Sequence, residues 1–500
     1  MNYGFVIDNR MCIGCHACTV ACKSEHDVPI GVNRTHVKYI EKGLFPTNTR
    51  EFSVHRCNHC ADAPCVEICP TTALHNRADG IVDFDNDRCI GCKSCMLACP
   101  YDALYIDPNT NTAAKCNYCA HRVDYGYEPA CVVVCPVEAI VSGDLDDAST
   151  RIAQLIANEK TITRKPEKMT DPNLHYVNGT NEMLDTNATT QDGKYVWSEQ
   201  SVGVGHFAKY AEQRSSEVDN QKVRRVYDAP SKGVLWDWEV PAYVWTKAIA
   251  TGTFLMMAVW HFLNGGIDAS SELNGLITTL VFMVLTAALL VKDLNRPDRF
   301  IYVLLRPQWK SWLVRGAYII TGFGGLVTFK LVDNYFGLGL NWLWGPGAVL
   351  AVLGAVYTAF LFAQARARDL WQTSVQSAIH MFIHAVMAGS VVLMFIAPEM
   401  VTVFKDILLW AVLANIIIMA KEIFMPHNIP DTKKAIQLMT KGYYSKYLWG
   451  GIIIGSVAPI VMLNAASGSA IVLVAGGCAL FGILLTEYVR IRVPQLIPLS

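Results

Sequence analysis

The sequence predicts two fold classes in tandem: a small α+β domain organised by cysteine, then an all-α transmembrane bundle of eight helices. Three observations predict this. Sixteen of the seventeen cysteines fall before residue 136. Residues 233–500 are dominated by long apolar runs of the length a bilayer demands, about 20 residues each. Between the two, residues 178–232 have little apolar periodicity and are rich in Asn, Thr, Gln, Asp and Ser. At 500 residues the chain exceeds what one hydrophobic core usually serves. A formal net charge of −1, with no basic stripe carrying aromatics, argues against a nucleic-acid partner.

The cysteine-rich part comes first. The opening MNYGFVIDNRMC has no basic segment followed by an apolar one, and no twin-Arg signal, so no secretory leader is expected. Metal ligation, rather than a disulfide framework, then explains the cysteines. They form four groups. Group one is Cys12, Cys15, Cys18 and Cys22; group two is Cys57, Cys60, Cys65 and Cys69. Group three is Cys89, Cys92, Cys95 and Cys99; group four is Cys116, Cys119, Cys131 and Cys135. Groups one and three match the bacterial ferredoxin run C-x2-C-x2-C-x3-C, and the other two keep its final C-x3-C. Three close cysteines can grip three irons of one cubane, while the fourth points away to a neighbouring cluster. Gly14 and Gly91 let the loop backbone approach inorganic sulfide. Pro70, Pro100 and Pro136 turn the chain after the last cysteine, whereas group one has Lys23 there. Structural zinc usually pairs two C-x2-C knuckles and has no use for the trailing C-x3-C-P. Full cysteine sets therefore predict four [4Fe–4S] clusters in a double-ferredoxin-like α+β domain. His16, His59 and His121 are read as loop residues.

This arrangement resembles the four-cluster iron–sulfur subunit of the molybdopterin oxidoreductases, which act on dimethyl sulfoxide, polysulfide, nitrate or formate. The resemblance covers roughly residues 1–180 and includes the tail at 143–177. It implies crossed ligand sets. Cys12, Cys15 and Cys18 join Cys135, and Cys116, Cys119 and Cys131 join Cys22. Cys57, Cys60 and Cys65 join Cys99, and Cys89, Cys92 and Cys95 join Cys69.

Residues 181–235 are expected to be a linker, an extended tether on the protein surface, and its basic end KVRRVYDAPSK suits a cytoplasmic segment near anionic lipid. The third part, 236–500, holds eight apolar runs: 241–263, 275–291, 313–331, 346–365, 375–397, 406–424, 447–464 and 470–488. The loops after the second, fourth and sixth runs, and the tail, carry the cations, among them Arg296, Arg299, Arg366, Lys433 and Arg490. The opposite loops offer Lys330 and Lys405. The positive-inside rule then predicts a multi-pass protein of the cytoplasmic (inner) membrane, with the iron–sulfur domain in the cytoplasm. Trp236, Trp238, Trp245, Trp342, Trp344 and Trp449 are expected as interface anchors.

KDLNRPDRF (292–300), SWLVRGAY (311–318), ARARDLWQTS, MAGS, KEIFMPH and KGYYSKYLWGG resemble the NrfD/polysulfide reductase membrane subunit over about 236–495. That resemblance implies a quinone, either menaquinone or ubiquinone, and no haem. The histidines of this half are His261, His380, His384 and His427, without a well-placed facing pair for a haem.

One residue stands out in the first run. Lys247 lies about 9 Å below Pro241 at 1.5 Å per residue, where a cation costs roughly 3 kcal/mol or more. It is expected to donate to a quinone carbonyl, with Tyr357 or His380 supplying a second hydrogen bond or a proton. The competing reading is snorkelling of its ammonium to the interface.

The chain shows no Rossmann fingerprint and no room for a pterin-binding domain. The expected function is the quinone-linked electron-transfer subunit of a molybdopterin oxidoreductase complex. Substrate catalysis would lie on a separate molybdopterin-containing subunit. Two alternatives stand. One is a module of an ion-translocating quinone oxidoreductase of the alternative complex III type, with His380, His384, Gln376 and Glu422 in a proton path. The other is a free-standing ferredoxin:quinone oxidoreductase.

Overall fold

The computed structural model describes residues 1–43, 47–191, 223–229, 232–465 and 469–500. The first half is built on two four-stranded sheets. In one, β1 (Tyr3–Asp8) is central, antiparallel to β8 (Ile140–Asp144) and parallel to β10 (Leu174–Val177), with β9 (Thr161–Ile162) at the edge. Its burial is nearly complete, as the apolar run FVI requires. In the other, β2 (Thr35–Lys42) pairs antiparallel with β3 (Thr49–Arg56). Two small hairpins, β4–β5 (Leu74–Asn76, Val82–Phe84) and β6–β7 (Tyr105–Ile106, Ala113–Ala114), repeat the internal symmetry.

Four short helices carry the third cysteine of each group, always at the second position. They are Ala17–Glu25 with Cys18, Pro64–Ile68 with Cys65, Ser94–Ala98 with Cys95 and Ala130–Val133 with Cys131. A proline disfavours helical φ/ψ in the residue before it, so Pro70 and Pro100 stop two of these helices at Cys69 and Cys99. Lys23 imposes no stop. The first helix runs on to Glu25, and the Lys23 ammonium donates to the carbonyls of Pro29 and Val32.

The expected tether is corrected at both described ends. Asn181–Leu184 is helical, and β12 (Val223–Tyr227) joins the second sheet, antiparallel to β2 and parallel to β11 (Thr190–Gln191). The physical reason is burial with charge pairing. Arg225 bonds Asp228 and the Ser500 carbonyl, and Asp228 pairs with buried Lys38 at 2.6 Å. The rest of the linker lies outside the described residues.

Among the described residues, the second half has eight helices long and apolar enough to cross a membrane. They span Glu239–Asn264, Ala269–Lys292, Trp312–Phe336, Asn341–Gln364, Ser374–Ile396, Pro398–Phe424, Ser445–Ala465 and Ala470–Leu496. The first span is the most enclosed, with an unbroken buried run from Thr246 to Ala258. It touches the fifth closely because both are glycine there. A Cβ on Gly252 would sit 1.9 Å from the Ala385 carbonyl oxygen, and one on Gly389 2.1 Å from that of Gly252. Gly252→Ala is therefore expected to destabilise the bundle by about 1–3 kcal/mol, the usual cost of overpacking. A lowered melting temperature in detergent checks this; an unchanged one shows that the two spans can separate freely.

Three of the six tryptophans expected at the interfaces are held by contacts within the protein. Trp344 is fully buried against Phe254 and His261, and Trp245 donates to the Leu480 carbonyl. Trp236 is buried at the junction of the two halves, where its indole N–H donates to the Cys92 carbonyl at 3.2 Å. That junction is extensive. Backbone N–H groups of Asn295 and Arg296 reach the carbonyls of Gly91 and Ile90, both at 3.2 Å. Lys93 pairs with Asp293 at 2.9 Å, Ser311 donates to the Ile68 carbonyl, and Arg366 grips Asp62 and Glu67. Groups two and three therefore sit on the membrane half, at the end of the bundle that carries the basic loops.

Candidate functional site

The cysteines converge in four mixed sets. Cys12, Cys15 and Cys18 line one cavity together with Cys135. Cys22 lies among Cys116, Cys119 and Cys131. Cys57, Cys60 and Cys65 have Cys99 as their neighbour, while Cys89, Cys92 and Cys95 have Cys69. All sixteen are free thiols. This donor set suits iron–sulfur clusters: soft sulfur ligands, four to a site, mostly buried. Burial pushes the thiols of Cys18 and Cys92 up to about 11 and about 12, so both hold protons at neutral pH until metal displaces them.

The loop backbone adapts to this role in a way the glycines only half reveal. Gly14 and Gly91 have φ of 69° and 67°. The matching positions of groups two and four are His59 and Tyr118, held at 44° and 61°. A left-handed residue other than glycine costs roughly 1–2 kcal/mol. Packing fixes both: the His59 ring accepts from the Val82 N–H, and the Tyr118 hydroxyl donates to the Gly4 carbonyl.

Two residues beside the thiols were not singled out from sequence. Arg56 is buried, and its Nη1 donates to Cys131 Sγ at 3.0 Å. Its charge acts on Cys18, Cys116 and Cys131. His26 Nε2 lies 3.2 Å from Cys119 Sγ, and burial pulls its pKa down to about 4. Their only sequence signal is proximity: Arg56 precedes Cys57, and His26 follows Cys22 by one helical turn. His121, read as a loop residue, pairs with Glu25.

In the membrane half, Lys247 is 1% exposed. Its ammonium does not return to the interface. It donates to the Ala355 carbonyl at 3.1 Å and to the Thr358 hydroxyl, and lies 4.4 Å from the centre of the Tyr357 ring. Tyr243, one turn earlier, faces the same Thr358 and Tyr357. Gly316 on the third span leaves the space that the Tyr357 ring fills. His380 has a different hydrogen-bond partner. It donates to the Asn415 side-chain oxygen at 2.7 Å, beside His384. His384 also bonds Asn415, and its other nitrogen lies 3.1 Å from Glu487. Arg490 then bridges Glu487 and Glu422. Gln376 is half-buried outside this chain of contacts. One apolar core runs from Cys65, Cys69, Cys95 and Cys99 through Trp236 and Phe362 to Tyr243 and Val244.

The fold and these residues define a class: an iron–sulfur electron carrier built onto a membrane-embedded helical bundle. Residues 49–145 match the 4Fe-4S dicluster domain, and residues 228–498 match the family described as polysulphide reductase, NrfD. This protein belongs to the NrfD family and fuses it to a 4Fe–4S dicluster domain. Its cysteine-rich half is similar to a putative dimethyl sulfoxide reductase iron-sulfur subunit from Halobacterium salinarum, 39% identical over 44% of this chain and 93% of that protein. It is also similar to a polysulfide reductase component from Wolinella succinogenes, 42% identical over 35% of this chain and 93% of that protein. A tetrathionate reductase subunit from Salmonella typhimurium is 42% identical over 35% of this chain and 72% of its own length. Such relatives are subunits of oxidoreductase complexes, which assigns this chain a role in redox electron transfer at a membrane.

Proposed function

We propose that this chain connects a molybdopterin-containing catalytic subunit to the quinone pool, using four [4Fe–4S] clusters and a quinone site in the first four spans. When bound, the clusters supply single-electron steps in series and the quinone supplies a two-electron, two-proton partner. The observation that carries this reading is the packed core from Cys95 and Cys99 through Trp236 to Tyr243, one turn from Lys247. The crossed sets Cys12/Cys15/Cys18/Cys135, Cys116/Cys119/Cys131/Cys22, Cys57/Cys60/Cys65/Cys99 and Cys89/Cys92/Cys95/Cys69 hold the clusters as thiolates. Arg56 and Lys115, both buried, place positive charge beside them, which favours the reduced state. Lys247 donates to one quinone carbonyl and stabilises charge there; Tyr357 supplies a second O–H donor.

The catalytic partner docks at the other end of the wire. Cys15 is exposed there, as are the apolar Met11, Ile13 and Val20 of the same stretch and Val133 of group four, which suits a subunit interface. Pull-down of the full chain tests this: a large pterin-containing subunit travels with it, and its absence favours a free-standing ferredoxin:quinone oxidoreductase.

The iron–sulfur domain faces the cytoplasm in this reading. Several basic loop residues, such as Arg296, Arg299 and Arg366, bond the iron–sulfur domain. Lys330, counted on the far side, is neutralised in its span by Glu272 and Asp333. The asymmetry that remains comes from Arg306, Lys310, Lys433, Lys441 and Lys446. A reporter after Ser500, or at Asp431–Lys434, is expected to read cytoplasmic, and one at Asp268–Glu272 external. Reversed signals would place the domain outside.

A second reading, ion translocation, is favoured by two buried charged networks at different depths: His384–Glu487–Arg490–Glu422 and Lys330–Glu272–Asp333. Proton uptake per quinone turnover in liposomes separates it from simple electron transfer.

A further inference from the structure

We propose that His380, His384 and Glu487 form a buried binding site for a first-row divalent cation of the zinc type. Asn415 sets the tautomers of both histidines. Its side-chain N–H₂ faces the Ser456 hydroxyl at 3.3 Å, so its oxygen is the atom turned to the two rings. That oxygen accepts from Nε2 of His380 at 2.7 Å and from Nε2 of His384 at 3.1 Å. A carbonyl oxygen can only accept, so both imidazoles carry their proton on Nε2. Both Nδ1 atoms are then bare lone pairs. Each is buried and without a hydrogen-bond partner.

Glu487 completes the set. His380, His384 and Glu487 are all buried, and one ligand atom from each lies within 4.8 Å of the other two. Glu487 Oε1 is 3.1 Å from His384 Nδ1, without the alignment of a good N–H···O hydrogen bond. Two electron-pair donors this close repel each other unless a cation or a proton lies beside them. A proton on His384 would satisfy one bare nitrogen and leave His380 unmet. A metal with three open positions satisfies both rings and the carboxylate. The spacing suits it: ligands about 2.1 Å from a tetrahedral zinc lie about 3.4 Å apart.

The surroundings fit the same reading. His380 and His384 stand four residues apart on the fifth span, which puts both rings on one helix face. Asn415 fixes their tautomer and orientation from the sixth, as outer partners of metal-bound histidines do. Arg490 donates to Glu487 at 3.2 Å and is itself paired with Glu422. Two histidines with one carboxylate, all buried, match first-row divalent ions rather than calcium or magnesium. The site would tie the fifth, sixth and eighth spans together beside Lys247, whose charge reaches Glu487.

The test is zinc content of the purified full chain after loading with zinc and desalting, measured by mass spectrometry with iron in the same sample. The expected result is one zinc per chain retained in the wild type. His384→Ala and Glu487→Gln are expected to retain none, with iron content unchanged. Zinc absent from the loaded wild type overturns the proposal and leaves a proton as the balancing cation. Zinc retained equally by both variants overturns it too, because the metal then sits elsewhere. If a variant fails to fold, the wild-type stoichiometry and its competition against a chelator of known affinity decide the matter alone.

Discussion

Lys247→Met is expected to lower quinone turnover by about 100-fold or more, the size typical of losing one donor to a developing negative charge. The chain keeps its iron and its membrane insertion. Methionine matches lysine in length and fills the space beside Tyr357. The substitution leaves the Ala355 carbonyl and the Thr358 hydroxyl without the ammonium, but both are helix groups with other partners in reach. Removing a buried cation from a span also relieves a cost of several kcal/mol, so the bundle is expected to be no less stable. A buried cation that costs stability calls for a functional reason. The check is steady-state quinone kinetics beside iron analysis of the same preparation. Unchanged kinetics would make Lys247 a packing residue and shift attention to Tyr357.

The second large effect concerns the crossed ligands. Cys135→Ala and Cys12→Ala are expected to abolish the same cluster signal in paramagnetic resonance spectra. Cys116→Ala is expected to abolish a different one, although Cys116 and Cys135 belong to one stretch of sequence. Each loss removes about four of roughly sixteen irons if the clusters are cubanes. Cys95→Ala is expected to do more damage. It sits in the core shared with Trp236 and the first span, and ligation is part of the domain's folding energy. Signals that sort by sequence group, rather than across groups, would rule out the crossed sets.

Much of this was legible in the sequence because its signals are local. Cysteine spacing fixes where three thiols converge, a proline after the fourth stops the helix, and apolar runs mark the spans. Even the exception was readable, since Lys23 in place of proline predicts a chain that does not turn. What escaped depends on distant partners. The strand Val223–Tyr227 looks like a basic linker until Asp228 and the Ser500 carbonyl close around Arg225. Trp236 reads as an interface anchor because nothing nearby shows that Cys92 will meet its indole. His380 reads as a partner for Lys247 by depth alone; the side chain it bonds is Asn415, a single amide in an apolar run. Asn415 and Glu487 did leave a signal, as polar residues inside spans. Aligning the four cysteine groups would also have shown His59 and Tyr118 at the glycine position.

The central claim is that one polypeptide carries electrons between its cysteine-held clusters and a quinone beside Lys247. The most direct measurement mixes the purified, chemically reduced protein with a short-chain quinone and follows cluster absorbance in a stopped-flow instrument, without any catalytic partner. Rapid reoxidation in the wild type, slowed by about 100-fold in Lys247→Met, is the predicted result. Reoxidation that is equally fast in both proteins, or equally slow, would contradict it.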